Sequence, residues 1–231
     1  MILQITGAPA SGHTYSLRNL PSNKTVFIDT DKKGMGWAGW RADYNKDNKN
    51  YIQESNIDKI KSYIMGIIKS MPHVKIIVVD TLNTILTDKL HEDRKKPGFD
   101  KFKSLGDDAY ELYSFVRDNV PDEIIVIFMA HSEKYKVIDE SFQEMTHERT
   151  LFPGNMATKM NLHKFLNYNL YTYIDPEEED TSKKYKFKSV TNGRNEARSV
   201  AGVLPETMPN DMLFVISQIY EKDFMKPFAE A

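Results

Sequence analysis

The chain has 231 residues, with 31 lysines and arginines against 33 aspartates and glutamates, and it contains no cysteine. The absence of cysteine excludes a disulfide framework, a thiolate metal site and a cysteine nucleophile, and it favours a reducing compartment. The net charge of −2 provides no global positive field for a polyanion, so nucleic-acid binding requires local basic patches.

A chain of this length suits a single domain, which we expect to span residues 1–231. No run approaches the roughly 20 apolar residues that cross a bilayer. The first residues, MILQITGAPAS, begin with a strand-like run rather than with the basic start of a signal peptide. We therefore expect a cytoplasmic protein with no membrane partner.

Four short apolar runs predict buried strands: Ile2–Thr6, Thr25–Ile28, Lys75–Val79 and Ile124–Met129. Near-continuous Ile, Val and Phe suit strands that are buried on both faces, and such strands are usually parallel. Between these runs, apolar residues at a 3.6-residue spacing predict helices over 57–71 and 102–116. Strands that alternate with helices predict an α/β fold whose site lies at the carboxyl ends of the strands.

The third quarter of the chain predicts an antiparallel addition to this sheet. Tyr168–Ile174 and Lys184–Val190 alternate aromatic with polar residues on either side of the acidic segment DPEEED. Pro209-Asn210-Asp211 predicts the start of a final amphipathic helix. Asp88–Lys103 and Ser132–Pro153 show no periodicity and are predicted to be loops, which at this length are usually functional or mobile.

The segment GAPASGHT follows the first predicted strand and matches the phosphate-loop pattern GxxxxGK[ST] except at one position. Such a loop surrounds phosphates with backbone N–H groups at a helix N-terminus. We assign nucleotide binding to its eight residues, Gly7, Ala8, Pro9, Ala10, Ser11, Gly12, His13 and Thr14. Thr14 is also assigned to Mg²⁺. The alternative is an ordinary glycine turn between a strand and a helix.

His13 is the departure from the pattern, because it occupies the position of the phosphate-binding lysine. An imidazole is shorter than a lysine and, with an unperturbed pKa near 6.5, is mostly neutral at cytosolic pH. Either bound phosphates raise this pKa and keep His13 cationic, or the site holds nucleotide weakly and hydrolyses it poorly.

Asp80 ends the apolar run KIIVVD. A carboxylate at the end of a buried strand suits the second acidic motif of a phosphate-loop enzyme, which orders Mg²⁺ through a water molecule. It can equally cap the turn that follows. Because the chain also contains the glycine loop, we favour the Mg²⁺ assignment for Asp80. We also count Asp80 among the nucleotide-binding residues.

Four stretches follow one another in a characteristic order: GAPASGHT, VFIDTDKKG at Val26–Gly34, KIIVVDTLNTI at Lys75–Ile85 and IFMAHSE at Ile127–Glu133. In this order they resemble the RecA-like ATPase core, particularly the compact phage-encoded RecA-like ATPases of single-strand annealing and recombination, with a degenerate first nucleotide motif. KSVTNGRNEARSV, at Lys188–Val200, is similar to the strand and turn that present basic residues to a neighbouring subunit. The resemblance implies a mostly parallel sheet flanked by helices.

The resemblance also implies three catalytic roles. Asp31 polarises the attacking water, His131 senses the γ-phosphate, and Arg194, with Arg198 nearby, reaches the nucleotide of a neighbouring subunit. A carboxylate beside the phosphate loop can orient water, and an arginine in trans can stabilise transferring charge. The alternatives are a turn that Asp29 and Asp31 cap, with Lys32 and Lys33 solvated, and a merely basic hairpin tip.

Nucleic-acid contacts are assigned by local charge. Lys183–Arg198 contains six basic residues and one acidic residue, and Lys89–Lys103 contains six against three. Aromatic residues in these segments offer stacking surfaces. Ser132–Pro153, which the resemblance nominates for DNA, contains three basic and five acidic residues. Basic runs are more often solvated faces, so this alternative also stays open.

We therefore expect one RecA-like α/β domain, with its antiparallel extension and C-terminal helix at about 165–225. It binds ATP with Mg²⁺ and acts on single-stranded DNA in phage recombination or replication, as a ring or filament in the host cytoplasm. The alternative is a nucleotide-binding but hydrolysis-deficient interaction or assembly protein. A small-molecule kinase has less support because no acceptor-binding motif is found.

Overall fold

The computed structural model describes residues 1–95, 100–153, 161–180 and 183–230. Within these ranges nine strands are joined in one sheet. They are β1 (Ile2–Gly7), β2 (Thr25–Asp29), β3 (Tyr51–Ile52), β4 (Ile76–Asp80), β5 (Ile125–Ile138), β6 (Glu144–Thr150), β7 (Tyr168–Ile174), β8 (Tyr185–Lys188) and β9 (Thr207–Pro209).

The α-helices are α1 (Trp40–Asp43), α2 (Ile57–Ser70), α3 (Leu82–Glu92), α4 (Asp100–Asn119) and α5 (Met212–Lys222). Short 3₁₀ helices span Thr14–Leu17, Asp93–Lys95, Leu162–Phe165 and Phe228–Glu230. Side chains cap several starts: Asn56 accepts from the backbone of Lys59 before α2, and Asp211 accepts from Leu213 at α5. The predicted start of the last helix is confirmed.

The strand order is β3-β2-β4-β5-β1-β7-β8-β9, and every neighbouring pair from β3 to β7 is parallel. β7, β8 and β9 pair antiparallel, and β6 pairs antiparallel with the outer half of β5. The predicted α/β class, a mostly parallel sheet flanked by helices with an antiparallel extension, is confirmed. β5 lies between β1 and β4, so one strand separates the glycine loop from Asp80.

Both faces of the sheet are buried. Ile77 and Val79 of β4 face a core with α2, α3 and α4, whereas Ile76 and Val78 face a second core with α5. Alternate residues of one strand therefore serve two cores, because successive side chains point to opposite faces. This explains why the sequence shows continuous apolar runs at these strands.

Two predicted loops are instead regular structure. The described part of 88–103 is mostly helical, since α3 continues to Glu92 and α4 begins at Asp100; residues 96–99 lie outside the described ranges. Most of 132–153 is a β-hairpin formed by β5 and β6. The hairpin extends beyond the core, and Phe142 at its tip is 92% exposed. Because neither face of the hairpin packs against the core, its sequence does not alternate apolar with polar residues.

The helix expected after the glycine loop is also corrected. Only the four residues Thr14–Leu17 are helical, and they form a 3₁₀ turn. Pro21 follows shortly, and β2 begins at Thr25, so the chain returns to the sheet without room for a full α-helix. A single turn provides little of the helix dipole that would attract phosphate.

Across the described residues, no helix has the length and apolar character that a membrane span requires.

Candidate nucleotide-binding site

Parallel pairing brings the carboxyl ends of β1, β2, β4 and β5 to one edge of the sheet. Gly7 is paired with His131, and Asp29 is paired with Asp80. Because these strands run in one direction, the loops that follow them lie together. The predicted site residues of the glycine loop, Asp80 and His131 are therefore gathered at this edge.

The glycine loop is fixed by local hydrogen bonds and by close packing. The backbone N–H and the hydroxyl of Ser11 both donate to the Ala8 carbonyl, and the Ser11 hydroxyl also bonds that of Thr172. A Cβ on Gly7 would lie 2.1 Å from Oγ1 of Thr172. Gly12 has a φ of 96° and a Cβ there would meet Tyr185, so both glycines are required by the backbone path.

Thr14 and Asp80, the two predicted Mg²⁺ ligands, are in direct contact. The Thr14 hydroxyl donates to Oδ2 of Asp80 at 2.8 Å. Oδ1 of Asp80 is buried without a hydrogen-bond partner. Burial raises the pKa of Asp80 to about 6, although the nearby Lys33 and the Thr14 hydroxyl favour the charged form. An oxygen pair of this kind, with one buried atom unsatisfied, fits a hard divalent cation.

His13 and His131 lie side by side, with ring centroids 5.7 Å apart. Nε2 of His13 and Nδ1 of His131 are buried without partners. Burial, together with the charges of His131 and Lys33, lowers the pKa of His13 to about 3. Burial also lowers the pKa of His131. Both rings are therefore neutral at pH 7, and His13 does not reproduce the missing lysine charge.

The segment after β2 forms a compact turn beside this pair. The Gly34 N–H donates to Asp29, which also accepts from the Tyr51 hydroxyl. Asp31 accepts from the Thr84 hydroxyl and pairs with the ammonium of Lys33. The predicted turn-capping role is therefore filled by Asp29.

Asp31 has a carboxylate that is fully engaged. Thr81 also donates to it at 3.3 Å. Burial opposes its ionisation, but the bonds from Lys33, Thr84 and Thr81 outweigh burial and lower its pKa. Asp31 is not among the described residues that line the cleft, although Thr81, which donates to it, is. Its catalytic role stays a prediction.

A cleft of about 600 Å³ opens between these loops. Its lining comprises Pro9, Ala10, Gly12, His13, Thr14, Tyr15, Lys33, Gly36, Asp80, Thr81, His131 and Tyr185. Most predicted loop residues, with Asp80 and His131, therefore line one cavity, whereas Gly7, Ala8 and Ser11 are not part of its lining. In the described ranges no group of three or more His, Asp or Glu residues could hold a metal, so Mg²⁺ would need phosphate oxygens beside Thr14 and Asp80.

Sequence reasoning missed five residues of the cleft: Tyr15, Lys33, Gly36, Thr81 and Tyr185. Tyr15 and Tyr185 approach each other with ring centroids 6.1 Å apart, and Lys33 enters from the turn after β2. Tyr15 directly follows the phosphate-loop pattern and offered a signal by position. Tyr185 and Lys33 are far from the loop in sequence. The sequence pattern places Tyr185 in a strand and Lys33 in a solvated turn, so neither is assigned to the nucleotide site.

The two predicted trans-acting arginines lie outside the cleft. Arg194 is exposed, and its backbone carbonyl accepts from Glu148 of the hairpin at 2.8 Å. The Arg198 guanidinium donates to the His163 carbonyl at 3.3 Å. Gly193, with a φ of 81°, forms the predicted turn. Neither side chain serves the nucleotide site of its own chain in this arrangement.

The basic segment around β8 is partly neutralised. Lys183 pairs with Asp180 at 3.0 Å, and Lys186 pairs with Glu178 at 3.4 Å. Lys184 instead lies over the ring of Tyr185, 5.6 Å from its centroid. The acidic DPEEED segment therefore reduces the local positive charge that the sequence count indicates.

No protein-family model matches the chain, and no curated protein matches it. Among solved structures, the chain is similar to a KaiC-like protein from the hyperthermophilic archaeon Pyrococcus horikoshii OT3, with 12% identity and a TM-score of 0.47 over 81% of this chain and 76% of that chain. The residues of the cleft therefore carry the functional proposal.

Proposed function

We propose that the protein is a RecA-like P-loop ATPase that binds ATP with Mg²⁺ in this cleft. The observation that carries the proposal is the 2.8 Å hydrogen bond between Thr14 and Asp80 at the end of the glycine loop, with Oδ1 of Asp80 buried and unpaired. Mg²⁺, when bound, would neutralise phosphate charge. The glycine loop binds the phosphates through backbone N–H groups.

Hydrolysis would use residues that surround the Mg²⁺ ligands. Asp31 would orient a water molecule in line with the γ-phosphorus and accept its proton as the bond to ADP breaks. His131 would report the γ-phosphate, because it lines the cleft at the point where β5 leaves the core for the hairpin. Substitution of Asp31 by Asn should abolish turnover and retain nucleotide binding.

A hydrolysis-deficient nucleotide-binding protein is the second candidate. Two observations favour it: His13 is neutral, and the Asp31 carboxylate is occupied by Lys33 and two threonines. In that case nucleotide would order the loops for assembly or for a partner, without turnover. The two candidates share one site and differ only in chemistry.

Single-stranded DNA is the proposed polymer partner, in phage recombination or replication. Support comes from Lys184 and Lys188, which lie over the half-buried rings of Tyr185 and Tyr173, because cations beside aromatic rings suit a phosphate backbone with stacked bases. Tyr185 also lines the nucleotide cleft. Assembly as a ring or filament is proposed because Arg194 can assist only a neighbouring copy's nucleotide.

The test is equilibrium binding of ATP to the full chain with and without Mg²⁺, followed by phosphate release with and without single-stranded DNA. We expect Mg²⁺-dependent binding that Thr14→Ala and Asp80→Ala both weaken. Binding without turnover supports the second candidate, and turnover stimulated by DNA supports the first. No Mg²⁺-dependent binding would refute both.

For the assembled state, the Arg194→Ala variant is compared with the parent protein at concentrations where both self-associate. A loss of phosphate release with unchanged assembly supports the role in trans. DNA affinity that does not fall between low and high salt would argue against the DNA proposal, because phosphate contacts release counterions.

A further inference from the structure

The proposed phosphate site lacks two sources of positive charge that a phosphate loop usually provides. His13 replaces the lysine with a shorter, buried side chain, and the following helix is a single 3₁₀ turn. Asp80 lies against the loop and adds negative charge. A polyphosphate in this cleft therefore needs a cationic side chain from another part of the chain.

Lys33 is the one lysine or arginine among the described residues that line the cleft. It follows β2 by four residues, in the turn that Asp29 closes by accepting from Gly34 at 2.8 Å. Trp40 packs over Gly34, where a Cβ would lie 2.6 Å from the indole. The turn is thereby fixed against the core, and it returns Lys33 to the edge of the sheet that holds Asp80.

The environment of Lys33 suits a mobile phosphate ligand. Its side chain is 52% exposed, and an ammonium on a flexible four-carbon stem can reorient at low cost. Its ion-pair partner, Asp31, is held in place by Thr84 and Thr81. The carboxylate therefore keeps the ammonium beside the cleft before any ligand binds.

We propose that Lys33 supplies the phosphate-binding cation that the glycine loop lacks, by exchanging its ion pair with Asp31 for the β- and γ-phosphates of the nucleotide. This inference rests on the proposed function. The exchange releases one oxygen of Asp31, so nucleotide binding and the freeing of the proposed water-orienting carboxylate become one event. The site then discriminates nucleotides by phosphate number.

The experiment measures Mg²⁺-dependent affinity of the full chain for ATP, ADP and AMP. Lys33→Met removes the charge and keeps the length, Lys33→Arg keeps the charge, and Lys32→Met is the matched control, because Lys32 is exposed and outside the cleft. We expect Lys33→Met to lose about 10- to 100-fold in ATP affinity, the range for truncating one charged hydrogen-bond partner. The loss should be smaller for ADP and absent for AMP.

A relocation variant makes the test specific. If Lys33 replaces the loop lysine, His13→Lys should restore ATP affinity in the Lys33→Met background, whereas Lys32→Met should behave as the parent throughout. Thermal unfolding verifies that each variant is folded. ATP binding in the parent with equal affinity in folded Lys33→Met overturns the role of Lys33 and leaves the proposed function intact. Absence of ATP binding in the parent overturns both.

Discussion

The Thr14 hydroxyl donates to the Asp80 carboxylate at 2.8 Å, across a sheet in which β5 separates their strands. The contact leaves the second Asp80 oxygen buried without a partner. A buried carboxylate in this state lowers the stability of the protein, because its charged form is poorly solvated. The protein therefore keeps a destabilising group where a cation would relieve it.

We predict that Asp80→Asn stabilises the protein in the absence of Mg²⁺. The pKa of Asp80 is raised from 3.8 to about 6, so the cost of ionising it is fully present above pH 6 and disappears as the pH falls towards 3.8. Above pH 7 the free energy of unfolding should rise by roughly 1–3 kcal/mol. Denaturant unfolding in EDTA at pH 8 and pH 4.5 measures the difference.

Asp47→Asn, at an exposed carboxylate, is the control for this prediction and should change stability little. The same Asp80→Asn protein should lose Mg²⁺-dependent ATP binding. A variant that is no more stable than the parent at pH 8 would contradict the buried, unpaired state of Asp80.

Much of this edge of the sheet could be predicted from sequence, because each strand there is an apolar run that ends at a glycine or a polar residue. Gly7, Asp80 and His131 all follow such runs, and parallel pairing then places them together. Lys33 could not be predicted in this way. Its position depends on a turn closed by Asp29 and packed by Trp40, which are tertiary contacts without a local pattern.

The hairpin of β5 and β6 was not predicted for a related reason. Strand patterns are detectable when one face is buried, and beyond Ser132 the two strands pair mainly with each other. Val137, Ile138 and Phe142 are exposed, so no alternation of apolar and polar residues marks the strand. By contrast, β8 shows the alternation because Phe187 is fully buried between half-buried neighbours.

We predict that His13 stays neutral when nucleotide binds. Its pKa is about 3 in the free protein, because it is buried beside His131 and Lys33. Protonation at pH 7 would require bound phosphate to raise this pKa by about 4 units, which costs about 5 kcal/mol. The ratio of ATP affinities of the parent and His13→Gln should therefore not change between pH 6.5 and 8.5.

The ratio is the informative quantity, because the ionisation of ATP itself affects both proteins equally. A parent affinity that decreases with rising pH, relative to His13→Gln, would show that phosphates keep His13 cationic. That result would also reduce the need for charge from Lys33.

Tyr113→Phe is predicted to destabilise the core. The Tyr113 hydroxyl is fully buried and donates to Oε1 of Gln4, a polar residue in the middle of β1. Nε2 of Gln4 donates to Thr6 at 2.9 Å and to Thr150 at 2.8 Å. Loss of the hydroxyl leaves Oε1 buried without a donor and should cost about 1–3 kcal/mol in urea-induced unfolding.

Tyr63→Phe provides the comparison for Tyr113, because Tyr63 is 42% exposed on α2. It should change the free energy of unfolding by less than about 0.5 kcal/mol. Equal effects of the two substitutions would mean that the Gln4 network contributes nothing specific.

Glu196→Gln is predicted to destabilise the protein in a pH-dependent manner. Glu196 pairs with Nε2 of His163 at 3.0 Å and accepts from the Thr150 N–H at 3.0 Å and the Tyr171 hydroxyl at 3.2 Å. Burial opposes its ionisation, but these partners outweigh burial and lower its pKa below 4.5. The stabilisation is therefore present above pH 4.5 and is lost as the pH falls through the folded-state pKa.

At pH 7 the Glu196→Gln variant should be less stable by about 1 kcal/mol, because a neutral amide forms weaker hydrogen bonds than a carboxylate. The difference should shrink when unfolding is measured below pH 4. Glu206→Gln, at an exposed carboxylate near β9, is the control and should be neutral at both values. If Glu196→Gln lowers the stability by the same amount at pH 7 and below pH 4, then packing, not charge, holds the segment after β8 against β6 and β7.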